Sequence, residues 1–316
     1  MNIIVLDLEW NQSSKQQTKD TSLPFEIIEI GAVKLDENRR VTDRFSQLIK
    51  PQIYHKMHHM TENIIHIPME ELEKGRIFQE VFEQFREWCG KEYIFATWGP
   101  LDLLELQRNI KYYGLVPISD GPIRYYDVQK LFSLAFLHDK TRKTLEFAID
   151  YFHMNKDVPF HRAYSDAYYT ARVFEKIVHP DIMQLISFDT FQLPKDKKSE
   201  IKIIFPGYAK YISREFGQKQ EVMQDKEVSS TKCYLCRRNL RKKIRWYTRN
   251  GKNFYSAANC EIHGTIRYKV RVRKSEEKHY YAVKTSKFIT EEALVKMQEE
   301  SRRSKKNQKS KSSKPH

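Results

Sequence analysis

The chain has 316 residues, of which 40% are hydrophobic and 13% aromatic, so it is long enough for about two domains with packed cores. Its net charge is +15, but residues 231–316 hold 25 basic and 7 acidic residues, a net of +18, which leaves residues 1–230 at −3. This asymmetry favours a polyanionic partner, nucleic acid before an acidic membrane, and a solubilising basic tail is the alternative.

Several classes of protein are excluded by what the sequence lacks. No stretch approaches about 18 apolar residues, so no transmembrane helix is predicted. The first apolar strand begins at residue 2 without a charged leader or cleavage motif, and no signal peptide is expected. Four cysteines in so long a chain do not suggest a disulfide framework. We therefore expect a cytoplasmic protein without membrane association.

The predicted elements begin with strands and continue with helices. Three strands are expected over residues 2–7, 24–35 and 41–51, the last two joined by a polar turn. The elements that follow are a helix over 77–89, a strand over 93–97, a helix between Pro100 and Gly114, a strand over 124–128, and helices through about 136, over 144–154 and over 165–178. This order predicts an α/β fold with a mixed sheet flanked by helices.

The remainder of the chain is organised differently. Residues 186–230 show no clear period and many charges, and are predicted to be a linker with a short strand or helix. Residues 231–285 combine three cysteines with short β-rich runs, which predicts a small zinc-binding basic domain. Residues 286–316 predict an amphipathic helix followed, from about residue 303, by a disordered basic tail.

Two acids close the first predicted strand. Asp7 and Glu9 alternate along it, so their side chains point to the same face, where like charges repel and lose solvation. A turn at Asp7 that leaves both acids in water is one explanation. A hard divalent cation such as Mg²⁺ is the other, and it requires further oxygen ligands.

Later segments supply such ligands. Asp102 lies in the first turn of a helix directly after a strand, and His161 lies five residues before Asp166 at the start of another helix. Each has a structural explanation when taken alone, because carboxylates favour helix N-termini and Asp166 can cap its helix. Together the positions form an ordered set: Asp7-x-Glu9, Asp102 and His161-x4-Asp166.

With this set and the stretches DLEW, EIIEIGAV, TWGPLDLLEL and HRAYSDAYYTA, residues 1–185 resemble the DEDDh family of 3′–5′ exonucleases, which has a ribonuclease H-like fold. The family includes exonuclease domains of the RNase T and DNA polymerase III epsilon type. The most similar branch contains the histone-mRNA and interference-RNA exonucleases and bacterial relatives of the sporulation-inhibitor type.

The resemblance implies a role for each residue of the set. Asp7, Glu9, Asp102 and Asp166 would hold two Mg²⁺ or Mn²⁺ ions around the scissile phosphate, and His161 would be the general base. The implied activity removes nucleoside 5′-monophosphates from single-stranded 3′ ends, with RNA favoured over DNA. A catalytically inactive nucleic-acid-binding protein and a polymerase-associated DNA proofreading exonuclease are the alternatives.

The resemblance also implies contacts with the terminal nucleotide. Leu8, Trp10 and Asn11 lie beside the two acids, and Trp10 can either stack on a base or pack in the core. Residues 54–64 fall where relatives carry a loop that wedges against the last base, which adds Met60 and Thr61 as candidates. The segment is rich in histidine here, unlike the usual loop of the family.

A second set of residues indicates zinc. Cys233-x2-Cys236 and Cys260-x2-His263 are separated by 23 residues, a spacing typical of one structural Zn²⁺ ion with three sulfur ligands and one nitrogen ligand. A redox Cys-x2-Cys motif is the weaker alternative, because the second pair is present.

The stretch between the two pairs interleaves basic and aromatic residues around Asn250-Gly251, which predicts a β-hairpin. Its aromatic residues can bind single-stranded nucleic acid or form the core of so small a module. We expect both, with some aromatic residues buried and the basic face free to bind the substrate.

Overall fold

The computed structural model describes residues 1–13, 22–65, 67–139 and 141–312. It divides the chain into two units. The first comprises Met1–Ser119 and Ile123–Asp189, and the second comprises Asp120–Pro122 and Thr190–His316. The described residues form one six-stranded sheet in each unit.

The first unit is a mixed sheet flanked by helices, which confirms the predicted α/β class. Its strands are β1 (Asn2–Gln12), β2 (Phe25–Leu35), β3 (Val41–Leu48), β4 (Tyr93–Thr97), β5 (Ile123–Asp127) and β6 (Ser187–Asp189). Its helices are α1 (His59–Ile65), α2 (Met69–Leu72), α3 (Phe78–Cys89), α4 (Leu101–Tyr112), α5 (Val128–Phe132), which a π-helical turn (Ser133–Leu137) follows, α6 (Leu145–Tyr151), α7 (Ala163–Lys176) and α8 (Pro180–Met183). The strands lie in the order β3-β2-β1-β4-β5-β6.

Strand β1 lies at the centre and is buried on both faces. Ile4, Leu6 and Leu8 belong to the core that contains α3 and α4. Ile3 and Val5 belong to the opposite core, which contains α5, α6 and α7. Burying each such side chain contributes about 1.5–3 kcal/mol, so β1 is a rigid base for the residues it carries.

The two strands next to β1 differ in how far along β1 they pair with it. Strand β2 pairs with β1 in antiparallel fashion as far as Gln12, so β1 continues well beyond Asp7, where the sequence had predicted its end. Strand β4 is parallel to β1 and pairs with it only as far as Val5. Beyond Val5 one edge of β1 is therefore open at the carboxyl end of β4, which is where α/β sheets bind ligands.

The second unit is built on an antiparallel sheet. Its strands are β7 (Ile201–Phe205), β8 (Tyr208–Ile212), β9 (Arg241–Thr248), β10 (Asn253–Cys260), β11 (Gly264–Lys274) and β12 (Tyr280–Phe288), and its helices are α9 (Lys219–Gln224) and α10 (Glu291–Ser312). The order is β7-β8-β12-β11-β10-β9. Strands β9 and β10 form the hairpin that Asn250-Gly251 predicts, with Gly251 at φ +65° in the turn.

Two segments differ from the expectation. Residues 186–230 were expected to be a linker with a short strand or helix, but they contain three strands and a helix, namely β6, the β7–β8 hairpin and α9. The hairpin turns at Pro206-Gly207, a turn signal that the many charges of this segment obscured. The basic tail was expected to be disordered from about residue 303, but α10 continues to Ser312, and Ser304 Oγ donates a hydrogen bond of 2.7 Å to the Thr248 carbonyl. Residues 313–316 of that tail lie outside the described residues.

In the part of the chain that the structure describes, no helix is both long and apolar enough to cross a lipid bilayer.

Candidate active site and zinc centre

Three of the four predicted acids come together on one face of the first sheet. Asp7 and Glu9 share the parity of Ile3 and Val5, so they point toward the side of the sheet that α7 covers. Helix α7 carries Asp166 in its first turn. One carboxylate oxygen from each of Asp7, Glu9 and Asp166 lies within 4.8 Å of the other two.

Helix α7 can begin so close to these acids because β2 has a glycine beneath it. Gly31 pairs with Asp7 across the two strands. A Cβ atom at Gly31 would lie 2.0 Å from the Ala163 carbonyl carbon and 2.0 Å from the Tyr164 nitrogen. Only a residue without a side chain therefore allows the first turn of α7 to rest on β2 next to Asp7.

A buried acid that the sequence analysis did not select fixes the same helix end. Glu29 pairs with Glu9 in the sheet and is fully buried. Its carboxylate accepts hydrogen bonds from Arg162 Nη2 at 3.0 Å and from the Ala163 amide at 3.2 Å. The signal was available in EIIEIGAV, because an acid within an apolar strand needs a buried partner.

Burial and mutual repulsion raise the pKa values of these acids. Burial is the largest cause in each case. It acts with the charges of Asp102 and Glu9 to raise the pKa of Asp7 well above its usual value, and with the charge of Asp166 to raise that of Glu9 to about 8. Burial also raises the pKa of Asp166 to about 6, although His161 opposes the shift.

The donor set fits a divalent cation. All three groups offer carboxylate oxygens, which are the ligands that Mg²⁺ and Mn²⁺ prefer. Asp166 Oδ1 is buried and has no hydrogen-bond partner among the described residues, although buried polar atoms of proteins normally have one. A cation would satisfy this oxygen and remove the repulsion among the three groups.

The fourth predicted acid lies beside the group. Asp102 is buried in the first turn of α4, and its oxygens are not among those that lie within 4.8 Å of one another. Burial raises its pKa to about 7, while a hydrogen bond from the Leu8 amide lowers it. The charge of Asp102 is nevertheless near enough to raise the pKa of Asp7.

His161 stands directly before α7 with an exposed side chain. Its backbone is in the left-handed region, at φ +61°. The charge of its ring and a hydrogen bond from its backbone amide both lower the pKa of Asp166. The imidazole is thus close to the acids and open to solvent at the same time.

The side chains predicted to contact the terminal nucleotide fall into two groups. Leu8 and Thr61 are buried, at 3% and 7% exposure, and therefore present little side chain to a ligand. Trp10 is partly buried and packs against Phe25, with ring centroids 5.7 Å apart. Met60, at the start of α1, is 55% exposed and is the most accessible of the five candidates.

Asn11 has a structural role that the sequence did not indicate. Its side chain is fully buried, and its Nδ2 atom donates to the Tyr54 carbonyl at 3.1 Å and to the Lys56 carbonyl at 3.0 Å. Its Oδ1 atom accepts a hydrogen bond of 2.9 Å from the His58 amide. Asn11 thus fixes the loop before α1 through its side chain, and its contact with the terminal nucleotide stays a prediction that only its backbone atoms could fulfil.

The four predicted zinc ligands come together in the second unit. Cys233 Sγ lies 3.6 Å from His263 Nδ1, Cys260 Sγ lies 3.5 Å from the same atom, and Cys236 Sγ lies 3.7 Å from Cys260 Sγ. Tetrahedral zinc with ordinary bond lengths requires about 3.8 Å between two sulfurs and about 3.6 Å between sulfur and nitrogen. These three separations match edges of such a tetrahedron, and all four ligand atoms lie within 4.8 Å of one another.

The aromatic residues of the neighbouring hairpin belong mainly to the interior. Tyr247 is 5% exposed and packs with Leu294 and Met297 of α10. Trp246 is partly buried and donates from its indole nitrogen to the Ser229 carbonyl at 2.9 Å. Phe254 packs against the core on the α9 side. These contacts favour the structural interpretation of the aromatic residues over a stacking platform.

Comparison with known proteins identifies the class. A model of the RNase T exonuclease family matches residues 4–174, and the chain belongs to this family of exonucleases, which hydrolyse phosphodiester bonds. Two relatives are the PolC-type DNA polymerases III of Staphylococcus aureus (strain bovine RF122 / ET3-1) and Staphylococcus epidermidis (strain ATCC 12228 / FDA PCI 1200). Each is 25% identical over 176 residues, which cover 55% of this chain and 11% of the polymerase. The chain therefore spans only a small part of these relatives.

A solved structure supports the fold. The nuclease domain of 3′hExo, a DEDDh family member bound to rAMP, superposes with a TM-score of 0.51 and 17% identity, covering 60% of this chain and 96% of that domain. The family match confirms the predicted exonuclease family of the RNase T type and the enzyme class, and the superposition confirms the predicted ribonuclease H-like fold.

Proposed function

We propose that this protein is a metal-dependent 3′–5′ exonuclease that removes nucleoside 5′-monophosphates from single-stranded 3′ ends, with RNA favoured over DNA. One observation carries the proposal beyond family membership. Asp7, Glu9 and Asp166 converge within 4.8 Å, although burial and repulsion oppose their ionisation, and Asp166 Oδ1 has no partner among the described residues. Such an arrangement is stable when a cation joins it.

The residues of the site have distinct roles in this proposal. Asp7, Glu9 and Asp166 would hold two Mg²⁺ or Mn²⁺ ions, with Asp102 beside them as the fourth ligand. When bound, the ions supply a nucleophile from water at neutral pH and offset the negative charge of the leaving oxygen. His161 accepts the proton of the attacking water, because its imidazole is exposed next to Asp166 and an imidazole takes up protons near neutral pH.

The terminal nucleotide is held by groups near the open edge of β1. Met60 offers an exposed, flexible thioether for contact with the last base, and Trp10 offers the exposed part of its ring. Leu8 and Thr61 contribute through backbone atoms and by placing these two side chains. The segment that carries Met60 is anchored by Asn11, so a distorted loop should weaken binding of the substrate.

A second candidate substrate is DNA. The similarity to part of the PolC-type DNA polymerases favours a proofreading exonuclease that removes deoxynucleotides, as a separate chain or with a polymerase partner. The RNA preference is supported by the resemblance to RNA exonucleases and by a structural relative that was solved with rAMP.

The zinc centre completes the proposed cofactors. Cys233, Cys236, Cys260 and His263 would hold one structural Zn²⁺ ion that joins the start of β9 to the β10–β11 turn. The boundaries 1–185 for the nuclease domain and 231–285 for the zinc domain, and the cytoplasmic location, stay predictions.

The experiment is a gel time course on 5′-labelled single-stranded RNA and DNA of the same sequence, in Mg²⁺, Mn²⁺ and chelator. We expect a metal-dependent ladder that shortens from the 3′ end and is lost in Asp166→Ala. Asp120→Asn is the matched control, since its side chain is 90% exposed. The faster substrate identifies the preferred nucleic acid.

Two results would contradict the proposal. A ladder that persists in Asp166→Ala would point to a contaminating nuclease. Tight binding without any ladder would favour the inactive binding protein on the same fold.

A further inference from the structure

Strand β11 divides its residues by parity into a core face and a basic face. Ile266, Tyr268, Val270 and Val272 are buried, with exposures of 0%, 0%, 0% and 7%. The residues between them point to the opposite face of the sheet. These four residues, which we name the basic row, are Arg267, Lys269, Arg271 and Arg273.

No acidic residue lies directly across a neighbouring strand from the three arginines of the basic row. Strand β11 itself contains no acidic residue. On the adjacent strand, Arg267 pairs with exposed Lys287, so two cations lie directly opposite each other. Within the described residues, no acid lies at ion-pair distance from Arg267, Arg271 or Arg273. Like charges placed across strands destabilise a sheet, so this arrangement costs stability in the absence of a polyanion.

Helix α10 covers part of the same face of the sheet, and the basic row lies where this cover ends. Leu294 and Met297 of α10 pack on Ile244 and Ala257, which lie on β9 and β10. Arg271 and Arg273 stay exposed, while Arg267 and Lys269 are half-buried. The basic row therefore runs as a line from the edge of this cover to the exposed end of β11, with exposed Lys287 of β12 opposite Arg267.

The spacing along this line suits an extended polyanion. Alternate residues of a β-strand lie about 6.8 Å apart, which is comparable to the separation of successive phosphates in an extended nucleic-acid strand. Guanidinium groups bind phosphate oxygens with two parallel hydrogen bonds, and three of the four side chains are arginine.

We propose that the basic row is a track for the sugar–phosphate backbone of single-stranded nucleic acid, bound independently of base sequence. The proposal rests on the proposed function for the identity of the strand and extends it to a second surface of the chain. Recognition is electrostatic, because the aromatic rings near the basic row are not free to stack on bases. Trp246 and Phe254 pack inside, and Tyr247 and Tyr281, on the same face as the row, are only 5% and 4% exposed. Tyr255 lies under Lys269 with 5.5 Å between Nζ and the ring centroid.

The test compares two triple variants of the full-length protein that lose the same charge. Arg267→Gln/Arg271→Gln/Arg273→Gln removes most of the basic row. Arg238→Gln/Arg241→Gln/Lys242→Gln removes three exposed cations from the start of β9, where sequence alone placed the binding face. The probe is a fluorescein-labelled single-stranded RNA of about 20 nucleotides, and binding is measured by anisotropy in chelator over about 50–200 mM salt.

We expect the row variant to weaken binding about tenfold or more at low salt and the control variant to change it less than about threefold. The slope of log K against log salt should decrease in magnitude by about 2 in the row variant, since each lost phosphate contact contributes about 0.7. Equal losses of RNA affinity in both variants would show an effect of net charge alone. Unchanged affinity in the row variant would show that the basic row does not bind the strand. Either result overturns the proposal.

Further measurements separate the possible causes of failure. Because the row residues repel one another, the row variant should melt at the same temperature as the parent or higher. If the triple variant is unstable, Arg273→Gln alone should give about a third of the slope change.

Vesicles with anionic lipid test the other polyanion, and row-dependent vesicle binding without row-dependent RNA binding would overturn the assignment. Hydrolysis of a trinucleotide should be equal in both variants. Absent hydrolysis with row-dependent RNA binding would contradict the proposed exonuclease and leave the track intact.

Discussion

At the scale of single residues, the clustered acids of the first unit have pKa values raised above those of the same side chains in water. Glu9 and Asp102 have pKa values raised to about 8 and about 7, mainly by burial. Glu9 lies on β1, which has cores on both of its faces, and Asp102 is buried in the first turn of α4. The folded chain therefore stores a repulsion that a cation or a proton can relieve.

The pH dependence of stability should show this repulsion. The folded-state pKa values of Glu9, Asp102 and Asp166 are raised, so the folded state binds more protons than the unfolded state between about pH 4 and pH 8. In chelator, the melting temperature should fall as pH rises from 5 to about 8, and Mg²⁺ or Mn²⁺ should restore it at pH 8. Calorimetry in the two buffers measures this effect. A melting temperature that is indifferent to divalent cations at pH 8 would contradict it.

The substitution Asp7→Asn separates stability from activity. Removing one charge relieves the repulsion on Glu9 and Asp166, so the variant should melt higher in chelator, by about 2–4 °C for each kcal/mol gained. Its exonuclease activity should be lost. Asp120→Asn should change neither quantity, because an exposed ion pair contributes little. A lower melting temperature for Asp7→Asn in chelator would count against the stored repulsion.

Spacing in the sequence predicted the principal site residues but not the residues that hold them in position. Asp7, Glu9 and Asp166 come together as expected, because the pattern of strand and helix starts is local information. Glu29 and Arg162 could not be paired from sequence, since 133 positions separate the two ends of their ion pair. The structural role of the Asn11 side chain could not be predicted either, because its partners come from a loop more than 40 residues away.

At the scale of elements, strand pairing in the tertiary structure determined element bounds that the local sequence pattern could not predict. The sequence predicted that β1 ends at Asp7, since charged residues follow, but pairing with β2 carries the strand to Gln12. The helices near 77–89, 101–112 and 165–178 were predictable, because their apolar spacing and end signals are strong. The β7–β8 hairpin was missed because its exposed positions carry charges that resemble a linker.

The contact between α7 and β2 gives an element-scale prediction. Gly31→Ala would place a methyl group 2.0 Å from the backbone of α7, so the helix must move away from Asp7. We expect a loss of about 1–3 kcal/mol in unfolding free energy and a drop in activity larger than the loss of folded protein explains. Denaturant unfolding and the gel assay measure the two effects.

Gly121→Ala is the matched control, because nothing lies within 4 Å of its added methyl group. Wild-type activity in Gly31→Ala would show that the helix end does not need this close approach.

At the scale of the whole molecule, the charge asymmetry in the sequence corresponds to the two units. The weakly acidic N-terminal part contains the carboxylate site, and the basic C-terminal part contains the four predicted zinc ligands and the basic row. Composition predicted this division in general terms. It could not predict that the hairpin aromatics face inward, because that depends on which strand faces pack against α9 and α10.

The zinc centre makes a prediction for the intact protein. Elemental analysis should find one zinc per chain, and Cys260→Ser should lose it, since three ligands of a tetrahedral site bind more weakly than four. The thermal transition of the second unit should shift downward in this variant. A variant at the lone Cys89, which is buried in the first unit, should keep its zinc. Full zinc content in Cys260→Ser would show that the metal is bound elsewhere.

The parity of β11 also bears on how such a protein can diverge over time. Because Ile266, Tyr268, Val270 and Val272 form the core side of the strand, the exposed Arg271 and Arg273 on the other side are free to vary without loss of the fold. Descendants of this gene can therefore exchange arginine for neutral residues one position at a time. Such exchanges would change the affinity for long nucleic-acid strands while hydrolysis is conserved. A deletion of a single residue within the strand offers no such gradual route, since it would turn the cations inward and the isoleucine and valines outward.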